Sequence, residues 1–284
     1  MAIASLPSPA DLLELPVFRT ALLELGLLAL AGGLLGAWIV LRRLAFFAHA
    51  TGTAAFPGLV VAEAAGVSPR LAALIMGLGF AGAVERIGGR GRPADAATAL
   101  VLVAALGIGI VLASDVFESG AMVDRLLFDT AIGLGSADVA FSALAAALAA
   151  AGTASLGRAW TATGFDPGAS AAVGLPTERA DRLLLVLVAV AVAASLPAVG
   201  ALLVAALFVT PAATARLFAR SVPGLLAGSV AMAVVLGTGG LYVSFWLDLP
   251  PGSAVAVLGA GTYALTAAVT ALRPPPVLTA REAT

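Results

Sequence analysis

Four polar side chains lie in or beside stretches that are otherwise apolar: His49, Thr53, Glu63 and Asp248. His49 is the only histidine of the chain. A neutral imidazole nitrogen is a ligand for divalent cations. Thr53, four positions on, falls on the same helix face and adds a neutral hydroxyl oxygen. Glu63 and Asp248 add carboxylate charge further along the path. Glu24 and Asp129 are the other acids set among apolar neighbours. Ionisable groups inside membrane spans are costly and generally face a bundle interior or a water-filled path. A sparse, mostly neutral ligand set of this kind suits a conduit, which must release what it binds. The competing use of His49 is a hydrogen bond to a backbone carbonyl near a span end, and both uses stay open on the residues alone.

Other chemistries are excluded by absence. The chain has no cysteine, which removes disulfides, thiolate metal sites and cysteine nucleophiles. It has no lysine either, since all 15 basic residues are arginine. A P-loop needs its lysine at the phosphates, so the chain does not hydrolyse ATP through one. One histidine builds neither HExxH nor a multi-histidine zinc site. The residues point to a protein that is not an enzyme and holds no permanent cofactor.

The elements that must carry these residues are membrane helices. The chain is 61% hydrophobic and 11% charged, with a mean hydropathy of +1.08. Soluble domains are about 45–50% apolar and about 25% charged. Apolar runs of ~20 residues, the length a bilayer demands, recur throughout. The fold class is therefore an all-α polytopic membrane protein, with residues 1–284 forming a single transmembrane domain. Nine spans are expected, near 20–40, 50–66, 69–87, 96–114, 137–157, 182–196, 199–218, 224–246 and 252–272. The sixth and seventh share one apolar stretch broken at Pro197. Eight spans is the alternative, with that pair forming one span and a re-entrant piece. Residues 1–17 form a short external segment. With Asp11 and Glu14 and no basic n-region, it does not read as a cleavable signal peptide. Gly32 and Gly36 let helix backbones approach closely in lipid.

Arginine placement orients the spans. With the N-terminus outside and the C-terminus inside, Arg42, Arg43, Arg86, Arg90, Arg92, Arg158, Arg179, Arg182, Arg216, Arg220, Arg273 and Arg281 lie at the inner side. Only Arg19, Arg70 and Arg125 are left outside. That asymmetry follows the positive-inside rule. It puts Asp11, Glu14, Asp115, Glu118, Asp124 and Asp248 at the outer surface, either steering cations by screened attraction or simply solvated. A net charge of -1 with no basic tail offers no nucleic-acid surface.

The inner loop at about 158–182 contains a short capped helix. Asp166 suits its N-cap and Pro167 its first position. Gly174 suits an αL stop, and Pro176 forbids continuation. Such a helix is either a plain connector or a plug for a soluble partner.

Several stretches resemble one family, the permeases of metal-ion ABC transporters of the zinc, manganese and iron type (the ABC type-3 permeases). Leu41-Arg42-Arg43 and Pro57-Gly58 resemble the ends of its L-R-R-x-x-x-x-G-D-x-x-x-H-x-x-x-P-G pattern. His49 and Thr53 stand where that pattern has Asp and His. Phe165, Asp166, Pro167, Ala171, Gly174, Leu175 and Pro176 resemble its F-D-P-E-x-A-x-x-x-G-L-P-like motif, with Gly168 at the Glu position. Leu126-Leu127-Phe128 with Gly133 and Asp138, Ala198–Arg216, and Leu247–Gly252 resemble three further motifs in the same order. The resemblance covers nearly the whole chain.

It implies a fold like that of metal-ion and vitamin B12-type importer permeases, in a bacterial plasma membrane. It implies a divalent metal cargo, zinc, manganese or iron, with His49 and Thr53 contacting it. It implies that the 165–176 segment docks on a cytoplasmic ATPase, which hydrolyses ATP in trans. The implied partners are that ATPase, a second permease copy (a homodimer) and an extracellular solute-binding protein. Two alternatives remain: the same architecture carrying a metal chelate or small organic ligand, and a gradient-driven secondary carrier.

Overall fold

The computed structural model describes residues 8–88, 95–116, 134–166, 177–200 and 204–272. The described residues form helices and connecting turns. In chain order these are α1 (Pro9–Glu14), α2 (Pro16–Leu41), α3 (Ala45–Ala54), α4 (Phe56–Ala65) and α5 (Pro69–Gly88). There follow α6 (Asp95–Val111, with a π turn over Leu112–Val116), α7 (Ser136–Phe165), α8 (Thr177–Val199), α9 (Val204–Arg216), α10 (Val222–Leu247) and α11 (Pro251–Ala271).

Local chemistry sets many of the ends. Ser8 caps α1, with its N–H donating to Asp11 at 2.8 Å. The Ser8 hydroxyl and N–H hold the Asp11 carboxyl below its ordinary range. Pro16 opens α2 at a position where a missing N–H costs nothing. Gly66, at φ 65°, closes α4 in the left-handed conformation that glycine adopts without strain. Ser221 accepts from the Gly224 N–H at 3.2 Å and starts α10.

Helix α2 is the axis of the bundle. Its buried face packs on α7, α9 and α10. At Gly33 an added Cβ would lie 2.5 Å from the Val230 Cα of α10. At Gly36 it would collide with the Phe208 carbonyl oxygen of α9. These close approaches are the packing that the small residues make possible. Trp38 and Trp160 meet edge-on at 5.4 Å, and the Trp38 indole donates to Thr153 at 3.1 Å. At the opposite end of α2, Phe18 packs on Tyr242 and Phe245, each at 4.9 Å. The outer helices α5, α6 and α11 expose Ile75, Val103, Ile108, Val257 and Leu265. Apolar faces of that extent fit lipid or a protein partner rather than water.

Among the described residues, eight helical stretches are long and apolar enough to cross a membrane, α3 and α4 counting together as Ala45–Ala65. The seventh expected span, 199–218, is shorter among the described residues: α9 covers Val204–Arg216, 13 residues. At 1.5 Å per residue that is about 20 Å, against a hydrocarbon core of about 30 Å. The expected break at Pro197 is corrected. Pro197 lies within α8, and the helix ends at Val199, before Gly200 at φ 80°. A proline near a helix end removes a single bond there, whereas the left-handed glycine redirects the chain.

Candidate functional site

The polar island falls on α3. Thr51 donates to the Phe47 carbonyl at 2.8 Å, and Thr53 donates to the His49 carbonyl at 3.2 Å. Both hydroxyl protons are thus turned back onto the helix, leaving oxygen lone pairs for other partners. His49 is half-buried, and its Nδ1 is buried with no hydrogen-bond partner. Thr53 is buried. The helix is held by α5, α6, α8 and α9. Phe47 stacks on Phe80 of α5 at 5.8 Å. The structure therefore keeps His49 and Thr53 on one helix and offers one imidazole nitrogen and one hydroxyl oxygen.

The two carboxylates stand apart from this pair. Glu63 is exposed in the last turn of α4. It lies fourteen residues beyond His49, about 21 Å along a helical path. Asp248 is exposed as the left-handed C-cap of α10, at φ 53°. Among the described residues no group of three or more His, Cys, Asp or Glu side chains is placed to hold a metal ion.

Glu24 behaves differently from these exposed acids. It is fully buried on α2, and Ser142 of α7 donates to its Oε1 at 2.5 Å. Its Oε2 has no partner. One turn away on α7, Asp138 pairs with Arg70 of α5 and accepts from the Gly135 N–H at 2.8 Å. An open groove of about 550 Å³ lies at this end of the bundle, beside Arg19, Thr20 and Ser136. Asp129 lies outside the described residues.

At the other end, α7 finishes at Phe165, which is exposed, followed by Asp166. Pro167, Ala171 and Gly174 lie outside the described residues, as do Leu175 and Pro176. Beside Phe165 the structure shows an ion pair that sequence reading missed. Arg42, just past α2, meets Asp181 of α8 at 2.6 Å, each side chain only 8% exposed. Arg42 also donates to the Thr163 hydroxyl of α7. A second, more exposed pair joins Arg182 to Glu85 at this end. The arginines were legible as inner-edge anchors. Their partners were not, because they come from other helices.

The fold and the site define a class: a helical membrane protein whose bundle holds a polar, half-buried island on α3. Residues 14–270 match the ABC 3 transport family, and the chain belongs to it. It is 28% identical over 256 residues to the manganese transport system membrane protein MntC of Halalkalibacterium halodurans, covering 90% of this chain and 88% of that one. It is 24% identical over 247 residues to the high-affinity zinc uptake system membrane protein ZnuB of Haemophilus influenzae, covering 87% and 95%. Its fold is similar to that of a chain in the structure of PsaBC from Streptococcus pneumoniae in complex with Fab. There the TM-score is 0.79 with 23% identity, covering 90% of this chain and 93% of that one.

Proposed function

We propose that this chain is the membrane-spanning permease subunit of an ATP-binding cassette importer whose cargo is a divalent metal ion, manganese, zinc or iron. The observation that carries this reading is the family match from residue 14 to residue 270, together with relatives named for manganese and zinc transport. A separate ATPase supplies the energy, since no lysine is available for a P-loop. That ATPase docks at the 165–176 segment. A solute-binding protein delivers cargo at the opposite end, and two permease copies enclose the path. The spans alternate between outward- and inward-open arrangements in a bacterial plasma membrane, with the N-terminus outside and the C-terminus in the cytoplasm. His49 contacts the cargo through its unpartnered Nδ1.

The test is ATP hydrolysis by the reconstituted permease and its ATPase across manganese, zinc and iron. Stimulation by at least one of them, together with uptake into proteoliposomes, is the expected result. Uptake driven by an ion gradient without ATP would instead identify a secondary carrier.

The neutral pair of His49 and Thr53 favours a second reading, in which the cargo is a chelated metal or small organic ligand. Under that reading free metal does not stimulate hydrolysis, and depleting the protein leaves cellular zinc, manganese and iron unchanged.

A further inference from the structure

Arg42 sits where three helix ends converge. It follows the last residue of α2, and two residues separate it from α3, which carries His49. Arg43, between them, is left-handed at φ 56°, so the turn is short and tightly determined. One nitrogen of the Arg42 guanidinium meets Asp181 Oδ2 at 2.6 Å. The other donates to the Thr163 hydroxyl and lies 3.5 Å from the Trp160 carbonyl. Thr163 in turn donates to the Ala159 carbonyl at 2.9 Å. Trp160 ties α7 to α8 directly, its indole N–H donating to the Ala180 carbonyl at 2.7 Å. At Gly164 an added Cβ would lie 3.3 Å from Arg42 Cδ, so the glycine leaves the arginine its course over the last turn of α7.

Thr163 lies two residues before, and Asp181 five residues after, the 165–176 segment proposed to dock on the ATPase. One guanidinium therefore holds both ends of that segment and the start of the His49 helix. The pair is buried, so solvent and salt screen it little. The planar fork bonds in several directions at once, which a lysine ammonium does not reproduce.

We propose that Arg42 and Asp181 are positioning residues for transport: they bind the two ends of the ATPase-docking segment to the start of α3, so that displacement of the segment moves His49. This rests on the reading of the chain as an ATP-driven permease. The Arg182–Glu85 pair lies at the same end of the bundle but is half-exposed on its arginine side and joins α8 to α5. It serves as the control.

The test uses the full permease–ATPase complex in proteoliposomes, with Mn²⁺ and Zn²⁺ as probes. Asp181→Asn and Arg42→Lys are expected to keep basal ATP hydrolysis but lose about tenfold in ions moved per ATP, within the usual range of coupling between sites. Glu85→Gln is expected to keep the wild-type ratio. The exchange of Arg42→Asp with Asp181→Arg is expected to recover part of the loss. Wild-type ratios in both single variants overturn the proposal.

If the variants fail to assemble, spin labels on the permease, a chain with no native cysteine, decide it in a complex with a cysteine-free ATPase and no other change. Phe46→Cys and Glu178→Cys report the distance from α3 to α8, and Glu178→Cys with Val257→Cys supplies a reference. A fixed α3–α8 distance while the reference changes with ATP supports the proposal. Separation of α3 from α8, or a reference that never moves in a transporting complex, overturns it. If the wild type shows no metal-stimulated hydrolysis, the permease reading fails and this proposal falls with it. If the wild type is stimulated and the variants match it, only the proposal fails.

Discussion

At the scale of single residues, the site is defined by which donors and acceptors are already spent. The Thr53 proton is committed to the His49 carbonyl, and among the described residues His49 presents the one buried side-chain nitrogen without a partner. His49→Ala is therefore expected to lower metal-stimulated hydrolysis by about tenfold, equivalent to ~1.4 kcal/mol. Thr53→Val is expected to change it little. Thr53→His, which places a second imidazole one turn along the same face, is expected to lower the metal concentration for half-maximal stimulation. Equal response of all three to metal would remove the pair from the path. The buried acid gives a stability prediction. Ser142 is the hydroxyl donor to Glu24, so Ser142→Ala is expected to cost about 1–3 kcal/mol. Glu24→Gln keeps an acceptor for Ser142, and its melting temperature in detergent is expected to equal or exceed that of the wild type. The pairing of His49 with Thr53 on one face was legible because it follows from helical periodicity. The pairing of Arg42 with Asp181 was not, since it depends on how separate helices dock.

At the scale of elements, composition announced the helices, while their joints depended on local geometry. Pro197 was the visible breaker, yet α8 runs through it and stops before Gly200. Only the backbone conformation reveals that Gly200, the residue directly after the last of α8, does the turning. The spacing of Gly32 and Gly36 was legible as a close-packing signal. It did not single out Gly33, which meets the Val230 backbone on α10. The consequence is testable by contrast within α2. Gly33→Ala and Gly36→Ala force a Cβ into a neighbouring backbone, and each is expected to cost about 1–3 kcal/mol through overpacking. Gly26 has nothing within 4 Å of an added Cβ. Gly26→Ala is expected to be neutral or stabilising by up to about 1 kcal/mol, from helix propensity. Thermal unfolding in detergent orders the three variants. A Gly33→Ala protein as stable as Gly26→Ala would mean that α2 and α10 do not pack this closely.

At the scale of the whole molecule, the topology turns on α9. The eight long helical stretches among the described residues would place Ser8 and Leu272 on one side if α9 contributed no return pass. The contacts of α9 say otherwise. Gly32 of α2 faces the Leu207 carbonyl of α9, and Gly36 faces Phe208 and Ala212. Further along, Arg216 donates to the Val40 carbonyl at 3.2 Å. Positions thus advance together along both helices, so α9 runs parallel to α2 and begins near the middle of the bundle. It is a half-length return that restores the odd number of passes after α8. Helix α10 then runs the other way, with Gly33 beside Val230 and Phe18 beside Tyr242, and α11 reverses again. Ser8 and Leu272 consequently lie at opposite ends of the bundle. Single cysteines at these exposed positions can be read without background, since the chain has none of its own. In intact spheroplasts, a membrane-impermeant maleimide is expected to label Ser8→Cys and to spare Leu272→Cys until the membrane is opened. Labelling of both from outside would overturn α9 as a return pass. The reversed pattern would keep the pass but invert the orientation that the arginines imply.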